Sequence, residues 1–230
     1  MSIFTSIRCV VFDLDDTLWP CEPTIQNAEI ALYEWLEKYY PRITDQYSLQ
    51  GLREQRINFA ILNPHLAHDV TALRKQSLAV LAQEFDYSID LANDGLALFR
   101  RHRNQVDLFD DALPTIRKIS EHFETGVITN GNADLEAIGL SGHFDFIVTA
   151  EEAGAAKPDK AIFEYARNKT NLAGHELLYV GDHPVIDVLG SNNSGWKSLW
   201  FNPVAGPWLE ELKPDAEIQR LGEILSLLSI

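Results

Sequence analysis

The run Arg8-Cys9-Val10-Val11-Phe12 is short, apolar and β-branched, and it ends in an acidic cluster. That is the pattern of a strand buried on both faces of a parallel sheet. From about residue 24 to residue 103 the period becomes helical. The spacing predicts four helices: 24–40, stopped by Pro41; 44–62, stopped by Asn63-Pro64; 66–85; and a fourth that starts behind Ser88 as N-cap and ends in Arg100-Arg101-His102-Arg103. No strand pattern interrupts them, so a small bundle is expected. After Val106 helical segments alternate with short apolar runs. Helices are expected at 112–122, 133–138, 160–170 and 184–191, each followed by a strand, at 126–129, 146–149, 177–180 and 198–201.

This alternation implies right-handed crossovers and a parallel sheet covered on both faces. The first strand belongs to that sheet, because one buried strand cannot stand alone. The helical block is then an insertion between the first strand and the rest.

Composition narrows the classes. With 19 basic against 34 acidic side chains in 230 residues, the net charge is −15. That argues against a nucleic-acid or anionic-membrane partner, which needs a basic face. No apolar run approaches the roughly 20 residues that span a bilayer, and the N-terminus does not read as a signal peptide. Two cysteines, Cys9 and Cys21, are too few for a disulfide framework, and a reducing, cytoplasmic setting is expected.

Four loops carry the candidate chemistry: Asp13-Leu14-Asp15-Asp16-Thr17, Thr129-Asn130-Gly131, Lys157-Pro158-Asp159, and Gly181-Asp182-His183-Pro184 with Asp187 beyond it. In an open parallel sheet, ligands bind outside the carboxyl ends of the strands where the strand order reverses, so these loops can converge. Crowded carboxylates resist joint ionisation. A hard cation such as Mg²⁺ removes that conflict while leaving coordination room for a phosphate. A lysine and a threonine add a positive charge and a hydroxyl donor, and an aspartate can itself attack phosphorus. Together they are the parts needed for phosphoryl transfer.

In this order, these residues resemble the four motifs of the haloacid dehalogenase-like superfamily, and the helical insertion resembles that family's cap. The resemblance covers the whole chain. It implies an α/β fold: a Rossmann-like doubly wound parallel sheet from 1–18 and 107–230, with an inserted all-α four-helix cap, 19–106. It implies that Asp13 is the nucleophile with one oxygen on Mg²⁺, and that Asp15 is the acid and base, its carbonyl also reaching the metal. Thr129 and Asn130 would hold the phosphoryl group, Lys157 would neutralise it, and Asp182 would complete the metal site. Asp187 would stand behind them as partner to lysine or bound water. The family's dehalogenases lack an acid at the Asp15 position, because halide leaves without a proton. Its presence therefore favours a phosphate ester, and a phosphatase of small monoesters is the expected enzyme.

Each motif also has a plainer reading. Asp15, Asp16 and Thr17 suit a turn and helix cap; Asn130-Gly131 suits a hairpin; Asp182 suits the cap of a helix opening at Pro184. A silent phospho-ligand-binding protein could share the same residues. The segment His68-Asp69-Val70-Thr71 with Arg74, and the loop from Ile128 to Ala133, resemble bacterial phosphatases acting on flavin mononucleotide and 5-amino-6-(5-phospho-D-ribitylamino)uracil, hence riboflavin biosynthesis. On that reading Trp19 walls the planar ring, and His68, Asp69 and Arg74 read the leaving group. The alternative is a broad sugar and nucleotide phosphatase. Either way the partner is a small phosphorylated metabolite.

Overall fold

The computed structural model describes residues 4–230. Six strands form one sheet: β1 Cys9–Phe12, β2 Glu124–Thr129, β3 Phe146–Thr149, β4 Leu177–Gly181, β5 Lys197–Phe201 and β6 Ala216–Ile218. Every pairing is parallel, and the order is β3-β2-β1-β4-β5-β6. The chain builds outward from β1 through β2 to β3, returns to the far side of β1 with β4, and builds outward again. This is the doubly wound α/β arrangement, with its reversal at β1.

Register decides what stands at that reversal. Phe12 pairs with Val127 on one side and Val180 on the other. Asp13 therefore follows β1 at the edge where β2 delivers Thr129 and β4 delivers Asp182. The interior beneath that edge is apolar and fully enclosed: Val11, Ile128, Val148, Ile162, Phe163 and Tyr179 pack together. Gly126 matters locally, since a Cβ there would lie 2.2 Å from the Phe146 ring that crosses β2.

The chain divides into two compact units. One holds the sheet: the chain up to Pro20, Asp107–Gly131 and Gly139–Ile230. The other is helical: Cys21–Val106 with Asn132–Ile138. In the helical unit, helices Cys21–Tyr39, Val70–Glu84 and Asp90–Arg103 enclose Leu32, Leu36, Leu78, Leu81, Leu91 and Phe99. Helix Leu49–Leu62 differs from them, for none of its residues is buried. The segment 132–138 joins this unit through polar bonds. Asn132 Nδ2 donates to Thr71 Oγ1 at 3.3 Å, and the amide of Asp134 donates to Asn104 Oδ1 at 3.0 Å.

Several expected elements shift. The helix expected at 44–62 starts at Leu49, because Ser48 accepts from the Gly51 amide as its N-cap, and a separate short helix, Pro41–Thr44, precedes it. The helix expected from residue 66 starts at Val70 behind Asp69, which accepts from the Ala72 amide at 2.7 Å. Helix Glu223–Leu228 and strand β6 were not expected. No helix among the described residues is long and apolar enough to cross a membrane.

Candidate active site

A cleft opens at the carboxyl edge of β1, β2 and β4, lined by Asp13, Asp15, Asp16, Thr129, Asn130, Gly131, Lys157, Asp182, His183, Ile186 and Asp187. The four polar loops of the sequence thus share one place. Its centre is the Lys157 ammonium, which is buried and donates to Asp13 Oδ1 at 2.6 Å, Asp187 Oδ1 at 2.7 Å and Tyr179 Oη at 2.6 Å. An ammonium has three donors, and three acceptors saturate it.

Tyr179 was not anticipated from the sequence. It sits in the apolar run of β4, where an aromatic residue reads as core. Its hydroxyl donates to the Ile128 carbonyl at 2.9 Å, so the same oxygen is oriented to accept from Lys157. The only signal was a hydroxyl in an otherwise apolar strand, two residues before Gly181.

The lysine is fixed from behind as well. Asn130 clasps its backbone with two bonds: Nδ2 donates to the Lys157 carbonyl at 2.9 Å, and Oδ1 accepts from the Lys157 amide at 2.7 Å. Each such bond contributes about 1 kcal/mol. Asn130-Gly131 is therefore a loop tied to the lysine rather than a hairpin turn. Thr129 Oγ1 accepts from the Gly131 amide at 2.9 Å, which shapes that loop.

Asp187 reaches the lysine because β4 ends in glycine. A Cβ on Gly181 would lie 2.5 Å from the Asp187 side chain. The second Asp187 oxygen accepts from the His183 amide at 3.0 Å. Capping of the π-helical turn Pro184–Leu189 belongs to His183, whose Nδ1 accepts from the amides of Val185 and Ile186, and not to Asp182. Asp182 instead turns to the cleft. Its Oδ1 accepts from Thr17 Oγ1 at 3.3 Å, and its carbonyl accepts from Trp200 Nε1 at 2.7 Å.

The charges do not balance. Carboxylate oxygens of Asp13, Asp182 and Asp187 lie within 4.8 Å of one another around one ammonium. Burial pushes the Asp13 carboxyl well up, against the pull of Lys157, and Asp187 and Asp182 push it further. Burial beside Asp187 and Asp16 raises Asp182 to about 7. Burial pulls the Lys157 ammonium down, but Asp13 and Asp187 outweigh it and hold the group above its ordinary value. Three acids and one base leave a surplus negative charge suited to a hard divalent cation. Asp13 and Asp182, with the Asp15 carbonyl, are the groups that would hold it.

Asp15 and Asp16 make a tight loop. Asp16 has φ 61°, its amide donates to the Trp19 carbonyl at 2.7 Å, and Trp19 Nε1 donates to Asp15 Oδ1 at 2.9 Å. Asp tolerates this left-handed backbone better than most residues. The expectation of Trp19 as an open ring wall is corrected: the ring is fully buried, and its polar edge orients Asp15.

The remaining expected residues stand in the helical unit. His68 and Asp69 are half-buried beside the start of Val70–Glu84, and Asp69 is that helix's N-cap. Arg74 is buried, pairs with Glu29 at 3.7 Å and lies 3.4 Å over the Phe99 ring. Both of these contacts lie inside its own unit. Among the described residues the acidic trio of the cleft is the only group with metal-site spacing.

A family model described as haloacid dehalogenase-like hydrolase matches residues 7–195. The chain is 31% identical over 232 residues to 5-amino-6-(5-phospho-D-ribitylamino)uracil phosphatase YigB of Escherichia coli (strain K12), covering 96% of each protein. It is 36% identical to the crystal structure of 2-haloacid dehalogenase from Pseudomonas syringae pv. Tomato DC3000, with a TM-score of 0.91 over 97% of this chain and 98% of that one. The HAD-hydrolase YfnB of Bacillus subtilis, solved bound to magnesium, shares the fold at a TM-score of 0.71 and 24% identity, over 97% of this chain and 99% of that one.

Proposed function

The chain belongs to the haloacid dehalogenase-like hydrolases, and from that premise we propose that it is a Mg²⁺-dependent phosphatase of small phosphate monoesters, working through an aspartyl-phosphate on Asp13. When bound, Mg²⁺ supplies charge neutralisation at the surplus carboxylates and a hold on one phosphoryl oxygen. The chain's own residues do the rest. The Asp13 carboxylate attacks phosphorus, the ester P–O bond breaks, and the leaving alkoxide takes the proton carried by Asp15. In the second step Asp15, now ionised, takes a proton from water as the water oxygen attacks the aspartyl-phosphate. Inorganic phosphate leaves and Asp13 is restored. Lys157 and the loop of Thr129 and Asn130 hold the equatorial oxygens as charge develops.

The observation that carries phosphate over halide is Asp15, anchored by the Trp19 indole at the mouth of the cleft. An expelled halide would leave it without a task. The second reading, dehalogenation, has one observation in its favour, the 36% identical structure described as a 2-haloacid dehalogenase. One experiment separates them. Asp15→Asn should slow alkyl phosphates by roughly 10²–10⁴-fold and p-nitrophenyl phosphate much less, since nitrophenolate barely needs a proton. Chloride release from 2-chloropropionate, unchanged by Asp15→Asn, would overturn the phosphatase reading.

For the substrate we infer a ribityl phosphate carrying a planar ring, flavin mononucleotide or phosphoribitylaminouracil. The name of the E. coli relative supports this, together with the segment His68 to Thr71. The buried Trp19 gives no ring wall, so ring recognition would rest on other residues. Hydrolysis of these compounds no faster than of ribose 5-phosphate would leave a broad sugar and nucleotide phosphatase instead.

A further inference from the structure

Trp200 stands on β5, outside the four polar loops, and is only 4% exposed. In the ladder it lies opposite Gly181, the last residue of β4. Asp182 leaves the sheet at that point, and the Trp200 indole takes up its carbonyl, with Nε1 donating to it at 2.7 Å. An apolar strand such as Lys197–Phe201 could have carried leucine or phenylalanine there. Tryptophan adds a donor to the same burial.

The far side of the same peptide group is held too. The His183 amide donates to Asp187 Oδ2 at 3.0 Å, while Asp187 Oδ1 accepts from Lys157 at 2.7 Å. A peptide group is planar, and in the trans form its carbonyl and amide point opposite ways. The plane between Asp182 and His183 is therefore gripped at both ends, by Trp200 and by Asp187. This grip fixes the Cα from which the Asp182 carboxylate turns to the cleft. Thr17 Oγ1, at 3.3 Å, is a longer contact than a hydroxyl usually makes with a carboxylate, so the aim of Asp182 rests largely on its backbone.

The neighbouring indole shows the division of labour. Trp208, from the connection between β5 and β6, meets the Trp200 ring edge-on, with centroids 4.9 Å apart and planes at 70°. Trp208 Nε1 is buried without a hydrogen-bond partner among the described residues. One ring braces; the other spends its N–H on the peptide that joins Asp182 to the Asp187–Lys157 pair.

We propose that Trp200 is a positioning residue for the cation site: through the Asp182 carbonyl it aims the Asp182 carboxylate, and so sets how tightly the cleft holds Mg²⁺. This rests on the reading above, in which Asp182 is a cation ligand. Partners that orient metal ligands typically account for about 10–100-fold in metal affinity, and an effect through the backbone belongs at the lower end.

The test uses the full-length chain and Mg²⁺ alone, without substrate, in titration calorimetry. Trp200→Phe keeps a ring in the sheet and removes the N–H, so the Mg²⁺ dissociation constant should rise about tenfold. Trp208→Phe trims the same pair of rings but keeps the Trp200 donor, so its Mg²⁺ affinity should stay close to that of the wild type. Melting curves check that both fold. A second readout needs no Trp200 variant: by NMR, the Trp200 indole N–H signal should move as Mg²⁺ is added to the wild type and stay fixed in Asp182→Asn. Unchanged Mg²⁺ affinity in folded Trp200→Phe, an equal loss in Trp208→Phe, or an indole signal indifferent to bound Mg²⁺ would overturn the role of Trp200 and leave the cation site standing. A wild type that binds no Mg²⁺ would overturn both.

Discussion

Two buried charge clusters in this chain are near mirror images. In the sheet unit three carboxylates surround one lysine; in the helical unit three arginines surround one glutamate. Their supports differ as much as their signs. The lysine is saturated at 2.6–2.7 Å by Asp13, Asp187 and Tyr179. Glu29 has one hydrogen bond and two looser contacts. The first cluster is pinned by backbone: the Asn130 clasp, the end of β4 at Gly181, and the His183 amide. The second hangs on long side chains of three helices. A pinned cluster suits positioning of a reacting atom to a fraction of an ångström; a looser one ties three helices together and tolerates adjustment. In the sheet unit the surplus of carboxylates would suit a cation.

The sharpest way to break the comparison is at Asp13. Asp13→Asn keeps the shape, and Lys157 keeps Asp187 and Tyr179, so the fold should persist by circular dichroism. Turnover of p-nitrophenyl phosphate should fall by about 10⁴-fold or more. Residual activity within tenfold of wild type would remove Asp13 as nucleophile.

Next in size is the opposite deletion in the helical unit. Glu29→Gln strips the one anion from three guanidiniums, two of them little exposed. Unfolding by denaturant should show a loss on the order of 3 kcal/mol, as for a broken buried pair. Catalytic turnover of the variant while folded should stay near wild type.

A smaller effect tests the pinning itself. Tyr179→Phe removes only the hydroxyl between Lys157 and the Ile128 carbonyl. One hydrogen bond to a charged group, about 1.4 kcal/mol, corresponds to about a tenfold fall in kcat, with KM little changed. A change in KM alone would mean that Tyr179 serves binding rather than the orientation of Lys157.

The smallest effect is one of pH. Asp182 is raised from 3.8 to about 7 without a cation, so the folded state holds its proton more tightly than the unfolded chain does. Its contribution to stability is therefore fully present below about pH 4 and is lost as pH rises toward 7. The melting temperature in EDTA should decline across that window, and the gain on adding Mg²⁺ should be larger at pH 8 than at pH 5. Asp182→Asn should flatten the Mg²⁺ difference. An equal Mg²⁺ gain at both pH values would sink the assignment of Asp182 to the cation.

Strands β1 to β5 were legible to within two residues, because each is an apolar run closed by polar punctuation. Strand β6, Ala216–Ile218, was not, since three residues with an exposed glutamate make no pattern, and only pairing to β5 makes them a strand. The helices failed at their starts. Ser48 and Asp69 sit inside periodic stretches, and only the cap geometry reveals that the helix begins after them. The residues of the cleft were legible because they follow strands, where a polar side chain has no packing reason to be. Tyr179 and Trp19 were misjudged for one shared reason: a buried ring looks apolar in sequence, while its hydroxyl or indole N–H is what the neighbouring carboxylate or ammonium uses.

The grouping of Asn132–Ile138 with the helices has a practical consequence for anyone who treats the insertion as a movable module. The chain passes between the two units four times, at Pro20, Val106, Gly131 and Ile138. Transplanting only Cys21–Val106 onto a relative would take Asn104 and Arg100 without the Asp134 amide and carboxylate they meet, and Thr71 without Asn132. The heritable cassette is therefore two pieces of sequence, and the shorter one begins directly after the cleft loop Thr129-Asn130-Gly131. Recombination or insertion at that second junction edits cleft loop and helical unit together, which ties the divergence of one to the divergence of the other.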